Sequence, residues 1–462
     1  MSTDKPTAVS RHPSSFRRFL AALALCVLGI VIAGLGFAGL GNGWSDQIFP
    51  SNTTMFTGLA FSGSAVWEFG SRSTVPAPGS SSAQVYAASA YWDGSAWHTQ
   101  NPSIPGVMSQ FDNGTSGPGS TMWAVGATQN STQYSDSLPW KPLIMEWNGS
   151  KWMDKTPASV PLGGQFYSVS APSQSDVWTV GFVNSKTHPQ YQSIAYHYDG
   201  TSWHALPSPS AGTGLYAVSA LSGSNVWAAG WVGAKGSPAL FDWTGSAWKR
   251  FPILGVPSSS STNVNIMSLS FDSPNDGWAV GTYPNSKLSG HVQVSQASIP
   301  LVAHWNGSNW HTVPTGGFPS SLLISVQSVQ AFSASNVWVC GGYTNTVGNP
   351  NAFKPFLAHW NGSTWNVQSQ INFSTFNGGM ANAVAGNSNG TVAVSGLDSA
   401  GSSLLIGSSS PLAARSITTS FAGLPNGVLD LLAEVLGVLL VVGGVVALLR
   451  NGKRTPQQGV EK

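Results

Sequence analysis

Val337-Trp338-Val339-Cys340-Gly341-Gly342, followed after a variable stretch by Trp360-Asn361-Gly362-Ser363-Thr364-Trp365, decides the fold. The first segment is apolar, rich in β-branched and aromatic residues and closed by glycine, the signature of a short buried strand. The second sets two tryptophans around Asn-Gly, the signature of a hairpin. The same two-part unit recurs along the chain. Its strand copies centre on Trp67, Trp123, Trp178, Trp227, Trp278 and Trp338, with a seventh at Val392–Gly396 where Ala393 replaces the tryptophan. Successive copies stand 49 to 60 residues apart. That period holds four short strands, so each unit reads as one propeller blade and seven copies predict seven blades.

Blade three shows a complete unit. Tyr167–Ala171 alternates as a first strand, Pro172–Asp176 turns, and Val177–Gly181 makes the second strand. After a polar loop, Ser193–Tyr198 runs through Asp199-Gly200 into a fourth strand over Ser202–Leu206. Taking Asn361-Gly362 as a two-residue turn pairs Trp360 with Ser363, His359 with Thr364 and Ala358 with Trp365. Trp360 and Trp365 then lie diagonally on one face, and His359 takes the other, outward face. Equivalent pairs are Trp92/Trp97, Trp147/Trp152, Tyr198/Trp203, Trp243/Trp248 and Trp305/Trp310. Large rings repeated at equivalent positions fit packing between twisted blades better than sugar-binding platforms. Trp44–Pro50, which begins like half of such a hairpin, is expected to supply the last strand of blade seven and close the ring; Arg415–Phe421 is the rival strand.

These residues resemble the kelch repeat family, which includes the propeller of galactose oxidase. Kelch blades carry an apolar strand ending in Gly-Gly, then Tyr-Asp and a tryptophan. Val337–Gly342 with Trp360 and Trp365 matches that order best, and Tyr198-Asp199 restores the aromatic–acid pair. The resemblance covers roughly Trp44 to Leu405 and implies four-stranded blades. Most blades here have one glycine where kelch has two.

Charged residues make up only 8% of the chain, so backbone pairing and aromatic packing must carry stability. The region from Trp44 to Leu424 holds 11 basic residues against 13 acids, and net charge there is slightly negative. No nucleic-acid partner is expected, because binding one needs a basic face. Two cysteines, Cys26 and Cys340, sit in a predicted helix and a predicted strand, so no disulfide is expected.

Phe19 to Gly41 is apolar and uncharged and follows Arg11, Arg17 and Arg18. At about 1.5 Å per residue it extends about 34 Å, enough for a bilayer core and long for a signal peptide. Gly427 to Leu449 is a second such segment, closed by Arg450, Lys453 and Arg454. Basic residues outside both segments place both termini in the cytoplasm. The expected organisation is a cytoplasmic basic tail over 1–18, a transmembrane helix over 19–41 and an extracellular propeller over 44–424. A second transmembrane helix over 427–449 and a cytoplasmic basic tail over 450–462 complete it. The protein is thus expected in the membrane of a bacterial cell, crossing it twice, with the lipid bilayer as one partner. Asp430 and Glu434, an i,i+4 pair near the external end of the second span, read as an interfacial group and a side chain reaching towards water, with contact to a helix of another subunit as the sharper alternative.

Catalytic signals are sparse. A glycosidase needs two convergent carboxylates, and no pair stands out: Glu68 and Glu146 are the only outer glutamates, and Asp93, Asp176, Asp199 and Asp276 occupy turns or strand starts. Arg72, Arg250 and Arg415 lack the company of a sialidase triad. His197/His204 and His304/His311 share hairpin faces and are candidate zinc or copper ligands. However, Glu146/Met153, Asp242/Lys249 and His359/Asn366 fill the same positions. Cys340 is a poor match for oxidase chemistry, because other blades carry Ala or Val there. No catalytic, cofactor or metal residue is therefore assigned. The sequence points to a binding module for a protein or an envelope glycan. Its expected contact loops are Gly106–Thr121, Asn184–Gln192, Tyr283–Ser298 and Thr344–Lys354. An extracellular carbohydrate-active enzyme is the alternative.

Overall fold

A computed structural model describes residues 44–74, 84–104, 108–131, 138–184, 191–233, 236–256, 264–284, 298–346, 352–368, 379–398 and 401–408. They form seven antiparallel sheets. In blade three the strands run in sheet order Gly164–Ser173, Asp176–Asn184, Tyr191–Tyr198 and Trp203–Ala205. The other blades repeat this meander, and blade five adds a parallel edge strand, Ile253–Leu254. The seven first strands are Thr54–Ser62, Met108–Ser116, Gly164–Ser173, Thr213–Ser222, Asn265–Ser273, Leu323–Ser333 and Gly379–Gly386. Each touches the next in order, and the last touches the first, so they ring a central axis. The protein is a seven-bladed β-propeller.

The N-terminal strand closes the ring. Ser45–Ile48 pairs antiparallel with Gly401–Ser408 and becomes the outermost strand of blade seven, as the sequence predicts. The rival strand, both apolar segments, both basic tails and the Asp430/Glu434 pair lie outside the described residues. Among the described residues no helix is long and apolar enough to cross a membrane.

Blade-to-blade packing follows one rule. The tryptophan of each second strand inserts against the aromatic hairpin of the next blade. Ring centroids are 5.7 Å apart for Trp67–Trp147, 5.7 Å for Trp123–Trp203, 6.1 Å for Trp178–Trp243, 4.8 Å for Trp227–Trp305 and 6.0 Å for Trp278–Trp360. Each pair adds about 0.5–1.5 kcal/mol beyond its buried area. In blade seven Ala393 stands in the tryptophan's place, and Trp92 and Trp97 of blade one pack over it together with Leu59, Phe61 and Leu404.

The hairpin register differs from expectation. Trp360 pairs directly with Trp365, His359 with Asn366 and Ala358 with Val367, around a four-residue loop. The cause is the Asn361 side chain, whose Oδ1 accepts hydrogen bonds from the Ser363 and Thr364 amides at 3.0 and 2.9 Å. Gly362 takes the left-handed region at φ 94°, and the Trp360–Trp365 pairing leaves four residues in the loop where a two-residue turn would leave two. The two histidine pairs are therefore directly opposed rather than diagonal. Nor do these faces all point outward: His359 is buried and packs on Trp338, with ring centroids 4.5 Å apart.

Candidate site at the channel mouth

Every first strand carries a β-bulge at the same place, opposite the repeated glycine of the Val-Trp-x-x-Gly unit. The glycine explains why. A Cβ on Gly70, Gly126, Gly181, Gly230, Gly281 or Gly341 would strike the carbonyl of Met55, Gln110, Gln165, Gly214, Asn265 or Ser325, two residues before the bulged one. Removing that Cβ lets the first strand kink inward, and a bulge re-aims the extra side chain. The seven bulged residues are Thr57, Asp112, Tyr167, Tyr216, Met267, Gln327 and Asn382. None is buried, although most of their strand neighbours are. Serines one residue further on pin adjacent blades together: Ser168 Oγ accepts from the Val218 amide at 3.1 Å, and Ser328 Oγ from the Val384 amide at 3.2 Å.

Strand direction sets which end of the channel this is. The first-to-second turns and the tryptophan hairpins share one end, and the longer second-to-third and blade-to-blade connections share the other. The bulges lie in the half of each first strand nearer the long connections. There, blades two to four depart from the repeat. Tyr167 stacks on Phe182 at 4.9 Å and meets Tyr216 edge-on at 4.9 Å. Phe182 packs against Trp231 at 5.9 Å, and Trp231 stands perpendicular to Tyr191 at 5.0 Å. All five rings are half-buried, and they join blade three to blade four. Their counterparts in the other blades are not aromatic: Ser71, Ala127, Thr282, Gly342 and Leu397 occupy the position of Phe182 and Trp231.

Asp112 adjoins this cluster. Its Oδ1 accepts from Gln110 Nε2 at 3.1 Å and from Gln165 Nε2 at 3.4 Å, while Oδ2 is buried without a hydrogen-bond partner. Desolvation pushes the carboxyl up to about 7, opposed by the Gln110 contact. Tyr167 is pushed up as well, chiefly by burial and then by Tyr216 and Asp112. The first strands contain no lysine or arginine. Asp272, their other carboxylate, sits near the short-turn end in blade five, pushed up to about 6 by desolvation and by neighbouring Asp276.

The candidates read from sequence do not converge. His197 Nε2 lies 2.9 Å from Asp176 Oδ1, and His204 Nε2 lies 2.7 Å from Asp199 Oδ2, so each imidazole already has a carboxylate partner. His304 is held by Asp276, which also accepts from Trp278 Nε1 at 3.2 Å. Among the described residues no group of three or more potential ligands is placed to hold a metal. Arg72 lies over Tyr86 at 5.2 Å, Arg250 donates to the Pro238 carbonyl at 3.3 Å, and Arg415 is outside the described residues. Cys340 is fully buried. Of the expected contact loops, Gly106–Thr121 is corrected: Met108–Ser116 within it is the first strand of blade two. Its Asp112-Asn113-Gly114 run reads as a loop because a bulge breaks the alternation of a strand. Residues 185–190, 285–297 and 347–351 of the other loops lie outside the described residues.

No protein-family model matches the chain, and no curated protein matches it. Among solved structures it is similar to a polysaccharide lyase, an ulvan lyase bound to -[GlcA(1-4)Rha3S]-, at 9% identity and a TM-score of 0.44, over 79% of this chain and 94% of that one. It is also similar to a chain of the mitotic checkpoint complex, at 8% identity and a TM-score of 0.45, over 88% of this chain and 98% of that one.

Proposed function

We propose that this protein is a membrane-anchored, kelch-like surface propeller whose long-connection end binds an envelope glycan. One observation carries the reading. Tyr167, Phe182, Tyr191, Tyr216 and Trp231 form a half-buried aromatic cluster beside a carboxyl oxygen with no partner, and the other blades build no such cluster from their bulged residues and the residues after the repeat glycine. Partly exposed rings with a few convergent polar groups suit the apolar faces and hydroxyls of sugars. The segments over 19–41 and 427–449 and their basic flanks support the anchor. The first of them ends at Gly41, and the chain joins the ring at Ser45, at the short-turn end. Anchoring there turns the long connections and the aromatic cluster away from the bilayer.

A carbohydrate-active enzyme is the second reading. Asp112 favours it, because a carboxyl near 7 is suited to general acid catalysis. Incubating the full chain with envelope fractions and a glycan panel, and reading retention and mass change together, separates the two. Retained, unaltered glycan that is lost on Trp231→Ala is the expected result. Altered products favour the enzyme, and a result with neither retention nor altered product overturns both.

A further inference from the structure

Resting on the glycan-binding reading, we infer that the ligand is an oligosaccharide with free amino groups, a hexosamine chain whose rings stack on Tyr191 and Trp231 and whose ammonium pairs with Asp112.

Three observations point to this chemistry. The first is the unpartnered Oδ2 of Asp112. A buried acceptor left without a donor is costly, and native proteins rarely keep one without a use. An ammonium supplies both the missing donor and the charge that stabilises the ionised carboxylate. Secondly, the described strands that carry the aromatic cluster and Asp112 offer an anion no cationic side chain. No lysine or arginine occurs on the seven first strands, nor on the strands that carry Phe182, Tyr191 and Trp231. A uronate or sulfate would face Asp112 with no cation from those strands to offset it, and like charges repel strongly in a partly desolvated site. Thirdly, the Gln165 contact to Asp112 is long at 3.4 Å, so the amide can give way to a better donor without losing a strong bond. Three blades contribute groups, which favours a chain of sugars over a single ring.

The test uses the full chain in detergent micelles with three probes: a glucosamine hexamer, its fully N-acetylated counterpart and an oligogalacturonate of similar length. At pH 7.5 the free-amine hexamer is expected to bind at least about tenfold more tightly than the acetylated one. Asp112→Asn, which keeps size and shape, should erase that preference while leaving the acetylated hexamer's affinity in place. Trp231→Ala and Tyr191→Ala, each checked for an unchanged unfolding temperature, should weaken both. Equal or tighter binding of oligogalacturonate, lost on Trp231→Ala, overturns the amino-sugar inference and leaves the glycan site standing. So does an amine preference that survives Asp112→Asn. If none of the probes responds to either aromatic variant, both the inference and the site it rests on fail.

Discussion

Trp44 meets Trp338 edge-on, with ring centroids 5.6 Å apart and planes at 71°. Thus the residue that opens the described chain fills the socket that a hairpin tryptophan fills in the other blades. Blade seven has no hairpin of its own, because its fourth strand comes from the other end of the sequence. The closure therefore rests on the ladder from Ser45 to Ile48, on the Phe49 and Phe56 amides that donate to the Ser402 carbonyl and hydroxyl at 3.3 and 3.0 Å, and on this aromatic contact with its neighbours. Trp44→Ala is expected to lower stability by about 2 kcal/mol, less than the roughly 3–5 kcal/mol expected for fully buried Trp310→Ala, because Trp44 is only half-buried. Urea unfolding of the two variants checks the order. Equal losses would mean that Trp44 is packed as deeply as the interior rings.

Glu68 marks the same junction from the other side. It is fully buried on the face of blade one that meets blade seven, where neither carboxyl oxygen has a hydrogen-bond partner of ordinary geometry. Desolvation pushes its carboxyl up to about 8, opposed by Ser395 across the junction. The native state then holds a proton that the unfolded chain releases at the ordinary carboxylate value, so stability falls as pH rises between about 4.5 and 8 and levels off above. One such group contributes at most about 1.4 kcal/mol per pH unit. Asp112 and Asp272 add slopes of the same sign over narrower ranges, so the difference between variant and parent is the useful quantity. Glu68→Val, the residue type at the equivalent Val339, should be more stable than the parent at pH 8, with the gain shrinking towards pH 5. A gain that does not change with pH would place the carboxyl in contact with solvent or a partner.

Much of this was legible in the residues. The Val-Trp-x-x-Gly strands and their hairpins count the blades, and Trp44's spacing to Trp67 identifies the closing strand. The channel ring was harder to read. A bulge offsets the two-residue period by one, so Asp112, Asn113 and Gly114 look like loop although they lie mid-strand. Aligning the first strands shows the signal: Thr57, Asp112, Tyr167, Tyr216, Met267, Gln327 and Asn382 vary in size and polarity within otherwise small, apolar strands. The repeated glycine was readable as a pattern, but its cause, a carbonyl two residues before each bulge, belongs to the neighbouring strand. Hairpin register was misread because Asn-Gly alone does not reveal which amides the Asn361 side chain takes.

That side chain offers a compact test of the hairpins. Asn361→Ala removes the acceptor for the Ser363 and Thr364 amides, and each exposed bond is worth about 0.5–1.5 kcal/mol. Gly362→Ala forces a side chain into φ 94° at a cost of about 1–2 kcal/mol. Asn361→Asp should be nearly neutral, since Asp93 and Asp199 do the same work in blades one and three, where the bonds they accept, led by the Ala96 amide and the Thr201 hydroxyl, hold their carboxylates well below the usual range. Thermal unfolding of the three variants checks the ranking. If Asn361→Asp costs as much as Asn361→Ala, the acceptor is not what fixes the loop.

Gly181 gives the sharpest link between fold and site. A Cβ there would run into the Gln165 carbonyl and the Phe166 backbone, and backbone cannot swing aside as a side chain can. Relief requires the first strand of blade three to move, and Tyr167 and Gln165 move with it. Gly181→Ala should therefore cost about 1–3 kcal/mol, as overpacking does, and also weaken glycan binding without altering any residue of the aromatic cluster. A matched control is Val180→Ala, next along the same strand. It removes buried apolar volume at a comparable cost but leaves the bulge geometry alone. Binding measured on both variants below their unfolding temperatures separates the effects. Equal losses of affinity would show that the site responds to stability alone, whereas a loss confined to Gly181→Ala ties ligand recognition to the kink that this glycine permits.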